Sequence, residues 1–240
     1  MSRQLASRRF TTHTIPVHPK THKGEQLKLV VNHYPSTTTA PHTVVCLFAH
    51  ANGYTKESWI PVIERLKDAW KNRSDSALDI WTYDSRNSGD SAVVNAEWLD
   101  EKALWQDYGR DIQQMISHFG LEPSATSSLF GIGHSMGATS LLVAGISQPH
   151  SFTALIAIDP VLAKETVKQD PPIAALALKR RDRWPSRVEA KESFLKRPYY
   201  QRWDPRQVDI YAEFGLLESP NGSVMLKCPK DQEYASIRYL

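Results

Sequence analysis

The sequence predicts an α/β fold in which a doubly wound, mostly parallel sheet is covered by helices and carries a helical cap. Three apolar runs, HTVVCLFAH (42–50), LDIWTYD (78–84) and FTALIAIDP (152–160), have the composition of strands that are buried on both faces. Segments with helical periodicity lie between these runs. Because parallel neighbours need a crossover connection, this alternation indicates βαβ units within one domain-sized core.

The N-terminal segment permits two interpretations. Residues 1–24 contain five Lys or Arg and no acidic residue, which is the composition of a transit peptide. However, Pro16 and Pro19 would interrupt an amphipathic helix, and the segment runs directly into the strand-like QLKLVVNHY (26–34). An N-terminal hairpin is therefore favoured, with the transit peptide as the alternative.

Three helices are predicted between the strands. The first two are marked by apolar residues at helical spacing, namely Trp59, Val62, Ile63, Leu66 and Trp70, and then Trp105, Tyr108, Ile112, Met115, Ile116 and Phe119. The third is MGATSLLVAGIS (136–147), which follows the strand SSLFGIGHS (127–135). The aromatic and methionine side chains are interpreted as core packing.

The domain organisation follows from where this alternation ends. Strands and helices alternate up to Pro160, so residues 1–160 are predicted to form the core. Residues 161–225 are rich in proline and charge, with short helix-period segments and no further apolar strand pair, which predicts a helical cap. Residues 226–240 are predicted to form a short C-terminal stub.

Composition excludes several classes of function. The formal net charge is only +3, so no nucleic-acid partner is predicted. The absence of an 18-residue apolar run excludes a membrane span, and the two cysteines, Cys46 and Cys228, indicate no disulfide framework. We expect neither metal nor cofactor, because Pro19 disrupts the helical face that a His18–His22 pair would need and no glycine-rich phosphate loop is present.

Three polar motifs follow three predicted strands. HANG (50–53) follows the first apolar run, DSRNSGDS (84–91) follows the second, and GHSMG (133–137) follows the strand before the third helix. The carboxyl ends of parallel strands are where open α/β sheets bind ligands. The last motif has the spacing of a nucleophile elbow, a tight turn that leaves no room for side chains at its glycine positions.

These motifs, in this order, resemble those of the α/β-hydrolase superfamily. The predicted cap sequence, RRDRWPSRVEAKESFLKRPYYQRWDPRQVDIYAEFGL, is more specifically similar to fungal members, which include peroxisomal lipase-like hydrolases and the abhydrolase proteins of host-selective (AK- and AF-type) toxin biosynthesis. The resemblance implies an α/β-hydrolase fold that is truncated here before its last two strands. It also implies an intracellular and peroxisomal location, although Arg238-Tyr239-Leu240 is not a standard peroxisomal signal; the cytoplasm is the alternative.

The resemblance assigns roles to the motif residues. Ser135 would be the nucleophile, and the backbone N–H of Met136 would form half of an oxyanion hole. Asn52 is the best candidate for the other half, with a plain Asn-Gly turn as the alternative. The remaining motif residues are expected to shape the loops and the elbow, namely His50, Gly53, Asp84, Arg86, Gly133 and Gly137.

The resemblance also calls for an acid and a base. Asp159, at the end of the run 152–160, is the tentative acid, with a turn-forming Asp-Pro as the alternative. The resemblance places the histidine after the acid, yet His150 is the last histidine and lies at the far end of the elbow helix. His134 adjoins the serine but is expected to diverge from it and to lie beneath the elbow.

Three hypotheses for function therefore stay open. The first is a serine hydrolase that acts on a small acyl ester or thioester in fungal toxin or other secondary metabolism. The second is a catalytically impaired protein that binds an acyl ligand or a partner. The third is a poorly folding product whose exposed sheet edge promotes aggregation. The sequence does not fix the oligomeric state.

Overall fold

The main sheet of the computed structural model has six strands and confirms the predicted fold class. The structure describes residues 10–162 and 172–238. The strands are β1 (Thr11–Pro16), β2 (Lys28–Tyr34), β3 (His42–Ala49), β4 (Ser76–Tyr83), β5 (Ser127–His134) and β6 (Ala154–Ile158). Their spatial order is β1-β2-β4-β3-β5-β6. The neighbours from β4 to β6 are parallel, whereas β1 and β2 pair in antiparallel fashion.

Helices cover both faces of this sheet. They are α1 (Ile60–Trp70), which follows a short 3-10 helix (Lys56–Trp59), and α2 (Gly89–Val94), α3 (Trp105–Phe119) and α4 (Met136–Ser147). Leu47 of β3 belongs to a buried cluster with residues of α3 and α4, while its neighbour Phe48 packs with Trp59 on the opposite face. Successive side chains of a strand point to opposite faces, which explains why β3 is apolar throughout.

The N-terminal hairpin is confirmed for residues 11–34. Strand β1 pairs with β2 so that Ile15 lies opposite Leu29, and both side chains are buried in the core. Residues 1–9 lie outside the described range. In the described ranges no helix combines the length and the apolar character that crossing a bilayer requires.

The strand register brings the three polar motifs to one edge of the sheet. Ala49, the last residue of β3, lies opposite Tyr83 at the end of β4 and opposite Gly133 near the end of β5. The residues that follow these strands therefore start at the same level. This alignment places the loops that begin at His50, Asp84 and Ser135 side by side.

The cap is helical, as predicted, but it also contains a small sheet. Its helices are α5 (Pro172–Lys179), α6 (Arg187–Leu195), α7 (Pro198–Gln201) and α8 (Pro205–Phe214), and helix α9 (Lys230–Arg238) follows it. Strands β7 (Arg183–Trp184), β8 (Leu216–Glu218) and β9 (Val224–Leu226) form an antiparallel sheet in the order β7-β9-β8. Strands this short have no readable alternation, which is why the expectation of no further strands was wrong. Strand β9 also crosses the predicted boundary between 225 and 226.

Strand β6 is an exposed edge, not the buried strand that its apolar sequence predicts. It pairs with β5 on one side and ends the described sheet on the other. Ile156 and Ile158 are 51% and 45% exposed. The sequence run 152–160 is as apolar as an inner strand, so its composition could not reveal this position. An open apolar edge is a template for pairing with other chains.

We predict that replacing an edge residue with a charge reduces self-association without unfolding the protein. Ile156→Lys should change the free energy of unfolding by no more than about 0.5 kcal/mol, because the side chain is half exposed. It should also raise the protein concentration at which light scattering detects aggregates. Leu129→Ala, at a fully buried position of β5, is the contrasting control and should lose about 2–5 kcal/mol. Equal destabilisation by both variants would contradict an open edge.

Candidate active site

Ser135 occupies a strained turn between β5 and α4. Its φ and ψ are 51° and −120°, a region that residues with a side chain rarely adopt. Hydrogen bonds hold this conformation on both sides, since the Ser135 N–H donates to Ile158 O over 2.9 Å and its carbonyl accepts from the Thr139 N–H over 3.0 Å. The turn places the serine at the N-terminus of a twelve-residue helix. Such a position is enriched in unpaired backbone N–H groups.

The two elbow glycines are required by close backbone packing. A Cβ atom on Gly137 would collide with the backbone carbonyl oxygens of Ala49 and His50, at the end of β3. A Cβ atom on Gly133 would lie 2.6 Å from the Ala138 nitrogen. Helix α4 can therefore approach the loop after β3 only because Gly137 lacks a side chain, and its first turn can pack against the end of β5 only because Gly133 lacks one.

The loop after β3 forms a tight turn beside the elbow. The Tyr54 N–H donates to Ala51 O over 3.1 Å, and Gly53 has a φ of 74°. The Asn52 side-chain amide donates to the main-chain oxygen of Glu233 over 3.0 Å. This hydrogen bond uses one of the two side-chain N–H donors of Asn52 and fixes the side chain toward α9, while its backbone N–H lies in the turn beside the elbow.

His50 is a structural link between two loops. Its Nδ1 lies 2.7 Å from Ala51 O, and its Nε2 accepts from the Ser85 N–H over 3.0 Å. Complete burial lowers the pKa of His50 to about 4. The ring is therefore neutral at pH 7 with both nitrogens occupied, which agrees with the expected role in shaping the loop and leaves no nitrogen for Ser135.

A buried lysine, which the sequence analysis missed, holds the loops after β3 and β4. Lys56 is 1% exposed, and its Nζ lies 2.8 Å from Asp84, 2.9 Å from Glu57 and 2.6 Å from Asp90. Burial alone would lower the pKa of Lys56, but the neighbouring carboxylates raise it above its usual range. Lys227 extends the cluster to the cap, with its Nζ 2.5 Å from Asp90. Helical periodicity gave no signal for Lys56, since a lysine is normally exposed.

Arg86 anchors the loop after β4 to helix α3. Its guanidinium forms two hydrogen bonds with the Asp111 carboxylate, of 2.8 and 2.7 Å, and a third with His22 O over 3.0 Å. Both side chains of the pair are buried. Arg86 thus ties the loop after β4 to α3 and His22, while Asp84 ties the same loop to Lys56.

His134 directly precedes Ser135, and Asp159 directly follows Ile158, whose main-chain oxygen accepts the Ser135 N–H. The described residues nevertheless show no assembled triad. Asp159 directly follows β6, is exposed and has a φ of 48°. Burial lowers the pKa of the half-buried His134, while the Asp159 charge opposes this shift. His150 lies beyond the far end of α4, which at 1.5 Å per residue is about 18 Å long. Among the described residues no histidine forms a hydrogen bond with Ser135.

An apolar cavity of about 310 Å³ opens beside the elbow, between the loop after β3 and the cap. Its walls include Tyr54, Trp59, His134, Ile158, Trp203 and Tyr211. The His134 ring lies 6.3 Å from the Tyr54 ring, so it borders this cavity and does not lie beneath the elbow as expected. At the rim, the Tyr54 and Tyr199 hydroxyl groups are 2.6 Å apart and join the core to the cap.

Sheet order, elbow and cap together define the fold as that of an α/β hydrolase. A family model described as "Alpha/beta hydrolase family" matches residues 46–236. The chain belongs to this family.

Several of the similar proteins come from fungi. Peroxisomal membrane protein LPX1 of Saccharomyces cerevisiae is 32% identical over 117 residues, which is 48% of this chain and 30% of that protein. Abhydrolase domain-containing protein AFT2-1 of Alternaria alternata is 27% identical over 112 residues, or 44% of this chain and 42% of that protein. The matched region thus spans less than half of either relative. These matches confirm the predicted resemblance to fungal α/β hydrolases.

Solved structures support the same fold. The peroxisomal alpha-beta-hydrolase Lpx1 from Saccharomyces cerevisiae superposes with a TM-score of 0.81 at 23% identity, covering 97% of this chain and 69% of that chain. The thioesterase domain from the curacin biosynthetic pathway gives a TM-score of 0.61 at 12% identity, with 97% and 75% covered. At these identities the likeness establishes the fold alone.

We predict that the close approach at Gly137 is sensitive to a single methyl group. Gly137→Ala should lose roughly 1–3 kcal/mol of unfolding free energy, because backbone atoms of the β3 loop cannot move aside. Gly145→Ala on the same helix is the matched control, since its Cβ would meet only side-chain atoms, of Leu155 at 3.1 Å and of Phe152 at 3.8 Å. Alanine favours helix, so the control should be neutral or stabilised. Urea unfolding measures both; equal effects would contradict the packing argument.

We also predict that His50 makes the protein less stable in acid. The pKa of His50 is about 4 in the folded protein, whereas an unperturbed histidine, as in the unfolded chain, has a pKa of 6.5. Between pH 4 and 6.5 the unfolded chain therefore binds a proton that the folded protein does not. Its contribution is complete above about pH 6.5 and should fall by up to about 3 kcal/mol as the pH drops to 4.

The control for this effect is His50→Gln, which keeps hydrogen-bonding groups but does not titrate. The variant should be less stable at pH 7, yet its unfolding free energy should depend less steeply on pH between 4 and 6.5. Denaturant unfolding across this range measures both slopes. Identical slopes would show that His50 is not buried as a neutral ring.

Proposed function

We propose that this protein is a serine-type acyl hydrolase that uses Ser135 to cleave an ester or thioester with an apolar acyl group. The strained backbone of Ser135 carries the proposal, because such strain persists where function requires a side chain to be presented. The adjoining cavity is apolar and is the natural place for the acyl group.

In the proposed reaction the Ser135 Oγ attacks the acyl carbonyl carbon, and its proton passes through solvent water to the departing alkoxide or thiolate. The carbonyl oxygen becomes an oxyanion, which the Met136 backbone N–H and one backbone N–H of the 51–54 turn would stabilise. The alkoxide or thiolate then leaves, and water hydrolyses the acyl-enzyme. Asp159 is the proposed acid of the site.

The resemblance to fungal abhydrolase proteins supports a substrate from toxin or other secondary metabolism. A relative named as a peroxisomal membrane protein supports a peroxisomal location. The metabolic origin of the substrate and the peroxisomal location are both parts of this proposal.

A second candidate is an acyl-binding protein with little turnover. It is favoured by the lack of a histidine hydrogen-bonded to Ser135 among the described residues. A hydroxyl without a base is a weak nucleophile, but oxyanion donors and binding alone can leave about 10³- to 10⁴-fold catalysis over water.

The test is covalent labelling by an alkyl fluorophosphonate, followed by intact-protein mass spectrometry. We expect one phosphonyl group per chain in the wild type and none in Ser135→Ala. Ser140→Ala is the matched control on the same helix, because its hydroxyl is buried and bonded to Met136 O over 2.7 Å. Labelling should persist there.

Hydrolysis of p-nitrophenyl esters of increasing acyl length separates the two candidates. Measurable turnover that rises with chain length supports the hydrolase, whereas labelling or saturable ester binding without turnover supports the binding protein. Equal labelling of wild type and Ser135→Ala would show that the probe reacts elsewhere, and it would contradict a role for Ser135 in either the hydrolase or the binding protein.

A further inference from the structure

The turn beside the elbow contacts a helix from the far end of the chain. Glu233 of α9 touches residues 52 and 53 in two ways. Its main-chain oxygen accepts the Asn52 amide, and its carboxylate atoms lie 3.2 to 3.5 Å from the position that a Cβ of Gly53 would occupy. One residue therefore binds Asn52 and fills the space beside Gly53 that a side chain there would need.

The Glu233 carboxylate is in turn held by the cap. Arg180, directly after α5, places its Nη1 2.5 Å from Glu233 Oε2. The other nitrogen, Nη2, donates to the Tyr211 hydroxyl of α8 over 3.0 Å. The Arg180 and Glu233 side chains are 17% and 15% exposed, so solvent screens this ion pair little.

The chain of contacts therefore runs from the cavity wall to the turn. Tyr211 lines the cavity, Arg180 binds Tyr211 and Glu233, and Glu233 supports Gly53. Gly53 has a positive φ and the turn is closed by one 3.1 Å hydrogen bond, so its conformation depends on such outside contacts. Burial also raises the pKa of Glu233, and Arg180 opposes that shift and favours the ionised form.

We propose that Arg180 and Glu233 are positioning residues that hold the 51–54 turn in its oxyanion-binding conformation and couple this turn to the cap. This inference rests on the proposed function for its catalytic consequence. The pair acts through the turn and does not itself touch the reacting atoms.

The first arm of the test is independent of activity. Hydrogen-exchange mass spectrometry on Glu233→Gln should show exchange of the peptide covering 51–54 faster by about 10-fold than in the wild type. Asp209→Asn is the matched control, because Asp209 forms an ion pair of 2.6 Å with Lys191 on the cap without touching the turn. Exchange of the turn should be unchanged in the control.

The second arm measures fluorophosphonate labelling of Ser135 as a function of probe concentration. In Glu233→Gln the maximal labelling rate should fall roughly 10- to 100-fold, as expected for displaced catalytic groups, with the half-saturating probe concentration unchanged. Asp209→Asn should label at the wild-type rate. If the wild type is not labelled, the proposed function fails while the exchange arm still decides the positioning role.

The double variant Arg180→Gln/Glu233→Gln excludes a merely structural role. Each single variant leaves one buried charge unpaired, which should lower the melting temperature. Removing both partners avoids that unpaired charge, so the melting temperature of the double variant should return toward the wild-type value. Turn exchange and labelling should stay altered, because no ion pair holds the side chain of residue 233 beside Gly53. The proposal would be overturned if the melting temperature, turn exchange and labelling rate all returned to wild-type values in the double variant. It would also be overturned if Glu233→Gln left the exchange of the turn unchanged.

Discussion

The candidate site depends on the close approach of helix α4 to the end of strand β3. Gly137 meets the backbone oxygens of Ala49 and His50, and this contact sets the distance between the serine turn and the neighbouring loop. Parallel register supplies the other half of the constraint, since Ala49 lies opposite both Tyr83 and Gly133. Three loops therefore begin from one level of a rigid sheet, which fixes polar groups more tightly than flexible loops could.

Buried charge, more than apolar packing, determines the shape of these loops. Lys56 binds three carboxylates and Arg86 binds Asp111 through two hydrogen bonds. Such pairs add little net stability, because desolvation offsets their attraction, but removal of one partner costs about 3–5 kcal/mol. Their effect is to favour one loop arrangement over the alternatives. The same logic extends to the cap through Lys227 and Asp90.

Much of the sheet could be predicted from sequence, because continuous apolar runs such as β3 report burial on both faces. The same signal failed for β6, since composition does not reveal whether a neighbour strand is present. The elbow glycines were also predictable, as their spacing follows from backbone sterics. Lys56, Arg180 and Glu233 were not, because a buried ion pair is formed by residues distant in sequence whose types are usually exposed. The two-residue strand β7 had no sequence signal.

The hydrogen bond from the Ser135 N–H to Ile158 O ties the strained turn to the outermost strand of the described sheet. Edge strands with exposed backbone open locally at lower free energy than central ones. When β6 separates from β5, the serine loses a hydrogen bond that maintains its unfavourable backbone angles and can relax. The strained geometry at residue 135 is therefore no more durable than the pairing of β6 with β5, and it would disappear on warming while the central strands stay folded.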